Sequence, residues 1–235
     1  MHSARIAELL APFLIRPLSE GQLKNTSMYI DILLRWNQKL NLTAVRTPEE
    51  IVTRHFGESL FAAQHLFSGV AAGLGPAQAQ SSSVLRVSDV GSGAGFPGLP
   101  MKLWASEIHL TLIESNQKKA TFLREVVRAL AFTQVDVFSG RAEELPRASS
   151  ELVTLRAVER FDSALPIASR LVAPSGRLAL FIGEKQAAKV PELAPGFNWR
   201  ERLPIPLASE RILLVGHRET WRVQSPEDPS LGVVN

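Results

Sequence analysis

The chain contains no cysteine in 235 residues, and this excludes disulfides, thiolate zinc sites and thiol nucleophiles together. Tyrosine occurs once and tryptophan four times, and no window approaches the roughly 18 to 20 unbroken apolar residues needed to cross a bilayer. The first twenty residues lack the basic-then-apolar layout of a secretory leader, so the expected location is the cytoplasm. Five scattered histidines (His2, His55, His65, His109, His217) form no ligand pair of the HExxH kind, and no metal is expected. Charge of one sign is also scarce. Lys plus Arg is 26 against 23 Asp plus Glu, a formal +3 that permits a polyanionic partner without requiring one.

What is present is apolar content of 45%, enough for one large α/β domain with an appendage. The first third reads as helix. Ser19 and Gln22 suggest a capping box, and apolar residues from Leu23 to Leu40 recur at helical spacing, predicting one long helix that ends near Asn41. Thr47, Pro48 and Glu50 mark a second helix start, with Val52, Phe56, Leu60, Ala63 and Phe67 along one face. Residues 68–83 lose charge and periodicity and read as a linker. The expected organisation is thus a helical extension over 1–67, a linker over 68–83, an enzyme domain over 84–223 and a polar tail over 224–235.

Beyond the linker, strands and helices alternate. VLRVSDV, HLTLIE, VDVFSG, LVTLRAV and GRLALFIG read as strands, helices are expected at 116–130 and about 161–172, and NWRERLPI with ERILLVGHRET can form an antiparallel hairpin. Alternation of this kind predicts a mostly parallel, Rossmann-like sheet of seven strands.

The stretch VSDVGSGAGFPGLP follows the first strand, where an open α/β sheet binds its ligand. Gly91, Gly93 and Gly95 can take positive φ and bring backbone against a cofactor. Spacing alone admits two cofactors, because Gly93, Gly95 and Gly98 also satisfy the GxGxxG pattern of nicotinamide and flavin sites, and Glu114 at the end of the second strand suits a ribose in either case. Pro97 and Pro100 remove amide donors where a pyrophosphate would need them, which favours a cofactor without phosphate, S-adenosylmethionine.

DVGSGAGFPGLP at 89–100, IESNQKKATFLREV at 113–126, SGRAEEL at 139–145 and TLRAV at 154–158 resemble the ribosomal RNA small subunit methyltransferase G (GidB) family, as do RWNQKLNLTAV at 35–45 and RHFGESL at 54–60. One departure is Glu58, where that family usually carries Asp. The resemblance implies a class I S-adenosylmethionine-dependent methyltransferase acting on 16S ribosomal RNA or the small ribosomal subunit, at guanine N7 of nucleotide 527 in the decoding-region (530) loop. It further implies that Gly91 and Phe96 border the methionine end of the cofactor, that Glu114 takes the ribose hydroxyls, that Ala142 and Glu143 meet the adenine, and that Arg156 lies beside the site. N7 carries no proton, so no general base is named.

Each assignment has a plainer alternative. Glu114 could be a solvated strand-end charge, Phe96 core, Glu143 a solvated acid, and Arg156 an ion pair instead of a clamp on phosphate or base. Arg35, Asn37, Lys39, Asn41, Arg54, His55, Lys118 and Lys119 are candidates for an RNA-facing rim. Against that, Asn37 and Asn41 could cap a helix end, Arg54 could form a charge ladder with Glu50 and Glu58, and His55 could sit at the core edge. Two rival functions remain open at this level: a nicotinamide-dependent oxidoreductase, and a non-catalytic ribosome-binding protein with the same fold. A monomer is the default expectation.

Overall fold

A computed structural model describes residues 1–67, 84–158 and 160–219. The expected linker and polar tail lie outside the described residues. The amino-terminal unit holds α1 (Ser3–Leu10), α2 (Glu20–Asn37), and a helical run made of α3 (Pro48–Glu50), a π-helical stretch (Ile51–Gly57) and α4 (Glu58–Leu66). Both start signals work as the sequence implies: Ser19 and Gln22 cap each other reciprocally, and Thr47 Oγ1 accepts from the Glu50 amide. The long helix stops earlier than Asn41. Asn37 ends it by turning its side chain on the following loop, where Oδ1 accepts from the amides of Leu42 (2.9 Å) and Thr43 (3.1 Å) and Nδ2 donates to the Thr43 carbonyl (3.0 Å).

The strands are β1 (Arg86–Val90), β2 (His109–Ile113), β3 (Val135–Phe138), β4 (Ser150–Arg156), β5 (Val172–Gly183), β6 (Phe197–Pro204) and β7 (Arg211–Arg218). They form one sheet in the order 3-2-1-4-5-7-6. β1 to β5 are parallel, whereas β7 runs antiparallel between β5 and β6. The expected hairpin forms, and β7 inserts beside β5, so the hairpin joins the sheet through its second strand. Strand order reverses around β1, and the crevice of a doubly wound fold opens at that switch point.

One face of the sheet packs on α5 (Gly98–Trp104), α6 (Gln117–Ala129) and the amino-terminal helices, in a single buried cluster that runs from Ile6 and Leu33 through Phe56 and Phe122 to Leu110 and Val215. The other face packs on α7 (Phe161–Leu171), with the short α8 (Glu184–Ala187) and α9 (Val190–Leu193) beyond it. All five apolar residues expected along the second helix are fully buried. α1 and α5 had no clear sequence signal: α1 begins without a side-chain cap, and α5 carries Pro100 within its first turn. No helix among the described residues is long and apolar enough to cross a membrane.

Candidate active site

The glycine turn hangs from β2. The amides of Gly91 and Ser92 both donate to the Ile113 carbonyl at 3.0 Å, and Gly91, Gly93 and Gly95 have φ of +70°, +55° and +86°. A Cβ on Gly95 would collide with Tyr29 Oη and the Leu99 side chain, so this glycine is required by packing. A Cβ on Gly93 would come no closer than 3.7 Å to its nearest neighbour. The Gly93 backbone therefore faces open space, and a side chain there is opposed by backbone strain, not by a clash within the protein.

Glu114 is buried, with 7% of its surface exposed, which excludes the solvated strand-end alternative. Its Oε2 accepts from the Gly93 amide (2.9 Å) and its Oε1 from the Asn116 amide (2.7 Å). One amide per oxygen leaves a lone-pair direction on each, and the residue lines clefts of about 370 and 750 Å³ on either side of Gly91. Ala142 is buried and Glu143 exposed on a 3-10 turn (Ala142–Glu144) in the smaller cleft. Phe96 borders the larger cleft and is stacked between two partners, Tyr29 (centroids 5.3 Å, interplanar 3°) and His55 (4.7 Å, 23°). It is both core and wall.

The carboxylate of Asp89, unassigned by sequence reading, closes the amino end of α5. Its Oδ2 accepts from the Gly98 amide (3.2 Å) and its Oδ1 from Thr154 Oγ1 (2.7 Å), a pair brought together because Asp89 and Thr154 are register partners on β1 and β4. Burial raises its pKa to about 6, against the pull of those hydrogen bonds. Tyr29, the only tyrosine, donates to the Ala94 carbonyl and ties α2 to the turn.

Arg156 ends β4 and reaches into the amino-terminal unit. Its Nη2 donates to Glu58 Oε2 (2.9 Å) and to the Arg54 carbonyl (2.6 Å), and Arg211 donates from Nε to Glu58 Oε1 (3.1 Å). One buried carboxylate thus serves two guanidiniums. The ion-pair alternative describes Arg156 better than a free clamp. Burial draws its pKa down and Glu58 offsets this.

His55 sits between Thr43 Oγ1 (Nε2, 2.7 Å) and Arg156 (Nδ1, 3.4 Å). Burial, then the guanidiniums of Arg156, Arg54 and Arg211, push its pKa down to about 3. It is a neutral core-edge imidazole. The charge ladder around Arg54 does not form: Thr47 takes Glu50, Arg156 and Arg211 take Glu58, and in the π-helical stretch residues four apart no longer stack.

The RNA-rim candidates separate. Arg54, His55 and Lys119 line the larger cleft, whereas Arg35, Lys39 and Lys118 line another groove of about 520 Å³ beside Trp36. Asn41 is exposed and accepts from Arg46. Asn37 is withdrawn from the rim, since it is 4% exposed and bonded on both amide atoms within its loop. Among the described residues no group of three His, Asp or Glu could hold a metal ion.

The amides of the turn decide between the two cofactor classes. Those of Gly91, Ser92, Gly93, Gly95, Gly98 and Leu99 are all spent on protein acceptors, and the start of α5 faces the Asp89 carboxylate instead of an open anion hole. A carboxylate at that helix end opposes a pyrophosphate, whereas a phosphate-free nucleoside needs only the Glu114 lone pairs and close backbone. With this sheet order, the fold is that of the S-adenosylmethionine-dependent methyltransferases. It resembles the solved structure of a SAM-dependent methyltransferase from Aquifex aeolicus, with a TM-score of 0.54 at 15% identity over 76% of this chain and 97% of that one.

The family described as rRNA small subunit methyltransferase G matches residues 22–198, and the chain belongs to it. Relatives named Ribosomal RNA small subunit methyltransferase G are 34% identical in Xanthomonas campestris pv. campestris strain 8004, covering 81% of this chain and 84% of the relative, and 35% identical in Xylella fastidiosa strain M23, covering 80% and 82%.

Proposed function

We propose that this chain transfers a methyl group to N7 of a guanosine of 16S ribosomal RNA, nucleotide 527 in the decoding-region loop. The observation that carries this reading is the pairing of a glycine turn whose following helix starts on the Asp89 carboxylate with a buried Glu114 that lines both clefts, in a chain of this family. The residues present fit S-adenosylmethionine. Glu114 would accept from the ribose hydroxyls, Ala142 and Glu143 would border the adenine, and Gly91, Gly93 and Phe96 would flank the amino-acid end. When bound, the cofactor supplies an electrophilic methyl on a sulfonium.

Guanine N7 presents an in-plane lone pair and no proton. Methylation at this atom would require no proton to be removed, so the work of the chain's own residues is alignment. This agrees with the side chains present. His55 is neutral, but Phe96 stacks on it and Thr43 and Arg156 occupy its nitrogens, so it is not placed as a base. Arg156 and Glu58 act as the hinge-pin that sets the amino-terminal helices over the cleft, and Arg156 positions its rim.

The test is incubation of the purified chain with radiolabelled S-adenosylmethionine and small subunits, free 16S RNA or assembly intermediates from a strain lacking this modification, followed by chemical cleavage at 7-methylguanosine. Label at the one decoding-loop guanosine is expected. Cofactor binding without label on any of the three substrates would refute the assigned target and leave the methyltransferase fold standing.

A further inference from the structure

The lining of the larger cleft extends beyond the glycine turn. One end holds Gly91, Phe96 and Glu114; the other holds Arg54 and Arg211. Arg211 is the first residue of β7 and pairs in register with Gly183, the last of β5, because an antiparallel strand begins where its parallel neighbour finishes. The residue thereby reaches the rim that carries the turns after β1 and β4. From β1 to β7 the sheet crosses three strand spacings, about 14 Å between backbones, so Arg211 enters the cleft from the side opposite Glu114.

The cations at this end are under-compensated. Glu58 is shared by Arg156 and Arg211, and among the described residues no ion pair or hydrogen bond holds the Arg54 side chain. Arg211 spends Nε and Nη2 on Glu58, and its Nη1 carries no hydrogen bond among the described residues. Half-exposed Arg211 and exposed Arg54 thus offer unused donors at the mouth of the cleft. The paired use of Arg211 is a bound arrangement in which a carboxylate fixes one edge of the fork and leaves the other for an incoming anion.

We propose that Arg54 and Arg211 form a phosphate-binding site for the RNA backbone at the target nucleotide, setting the base toward the glycine turn. This rests on the RNA methyltransferase reading above. It assigns a substrate role to the second strand of the carboxyl-terminal hairpin, β7, which lies beyond residue 198, where the family match ends. The contact is to backbone, so it fixes register and carries no sequence information.

The test uses the full chain, a hairpin RNA of the decoding loop, and the variants R54Q and R211Q. RNA affinity is measured across salt concentration, and cofactor affinity by calorimetry. Each variant is expected to weaken RNA binding by roughly tenfold and to lower the salt slope by about one ion, the signature of a lost phosphate contact, with cofactor affinity within about twofold of wild type. A wild-type salt slope in either variant overturns the site. So does a loss of cofactor affinity in R211Q with unchanged RNA binding, which would make the anion a carboxylate of the cofactor. Should R211Q lower the thermal midpoint, R54Q decides alone, since it breaks no contact of the fold. Absence of methyl transfer to subunit RNA by wild type would instead defeat the reading of the substrate, and is separately visible.

Discussion

Glu58 shows how one residue can carry several tasks. It is 1% exposed, and its carboxylate is the common counterion of two arginines from different strands. Replacing it by Ala would leave both guanidiniums without an anion, and a loss of about 3–5 kcal/mol in urea unfolding is expected. His55 provides a pH-dependent counterpart. Its native pKa of about 3 lies below the ordinary 6.5, so between these values the unfolded chain binds a proton that the native chain refuses. Stability from this group is fully present above about 6.5 and is lost as pH falls toward 3. Asp89, raised from 3.8 to about 6, acts in the opposite sense over that narrower window. His55→Gln removes only the first contribution, so the stability difference between wild type and variant should hold steady above pH 6.5 and shift in the variant's favour below it, as read from urea midpoints across pH. A difference independent of pH would show that His55 titrates normally in the native state.

At the scale of elements, the glycine turn joins binding to packing, and its glycines separate the two. Gly93→Val would place a β-branched residue at φ +55°, a strain of about 1–3 kcal/mol, and would put its side chain in the open cleft; cofactor binding by calorimetry should be abolished while the protein still folds. Gly95→Ala has the reverse outcome. Its methyl would strike Tyr29 Oη and Leu99, so the thermal midpoint should fall first, with Tyr29 displaced from the Ala94 carbonyl. Sequence spacing marked all three glycines alike. The π-helical stretch was equally hidden, since IVTRHFG is compatible with ordinary helix; within it the Arg54 carbonyl accepts from Arg156 and the His55 carbonyl from Ser59 Oγ.

For the whole molecule, the amino-terminal unit is no separate module in energetic terms. Its buried residues belong to the same cluster as one face of the sheet, and Tyr29, Gln22 and Glu58 each bond across the junction. Urea unfolding followed by tryptophan fluorescence and by far-ultraviolet dichroism should therefore give coincident single transitions. Removal of residues 1–67 should yield a chain that does not fold cooperatively, because Phe96, Leu99 and Phe122 would lose the surfaces that cover them.

What the sequence determined by itself is what local chemistry dictates. Caps at Ser19 and Thr47, alternation of strand and helix, the glycine turn after β1 and the carboxylate after β2 are written in residues close together along the chain, as are the motifs that carry the family resemblance. The tertiary structure alone decided what depends on residues far apart. It turned Asn37 inward, bound Arg156 to Glu58 across 98 positions, and brought Arg211 across 153 positions to the same carboxylate. The physical reason is strand direction. An antiparallel β7 delivers its first residue to the rim where parallel strands deliver their last, and no periodicity within ERILLVGHRET records which neighbour it will pair with.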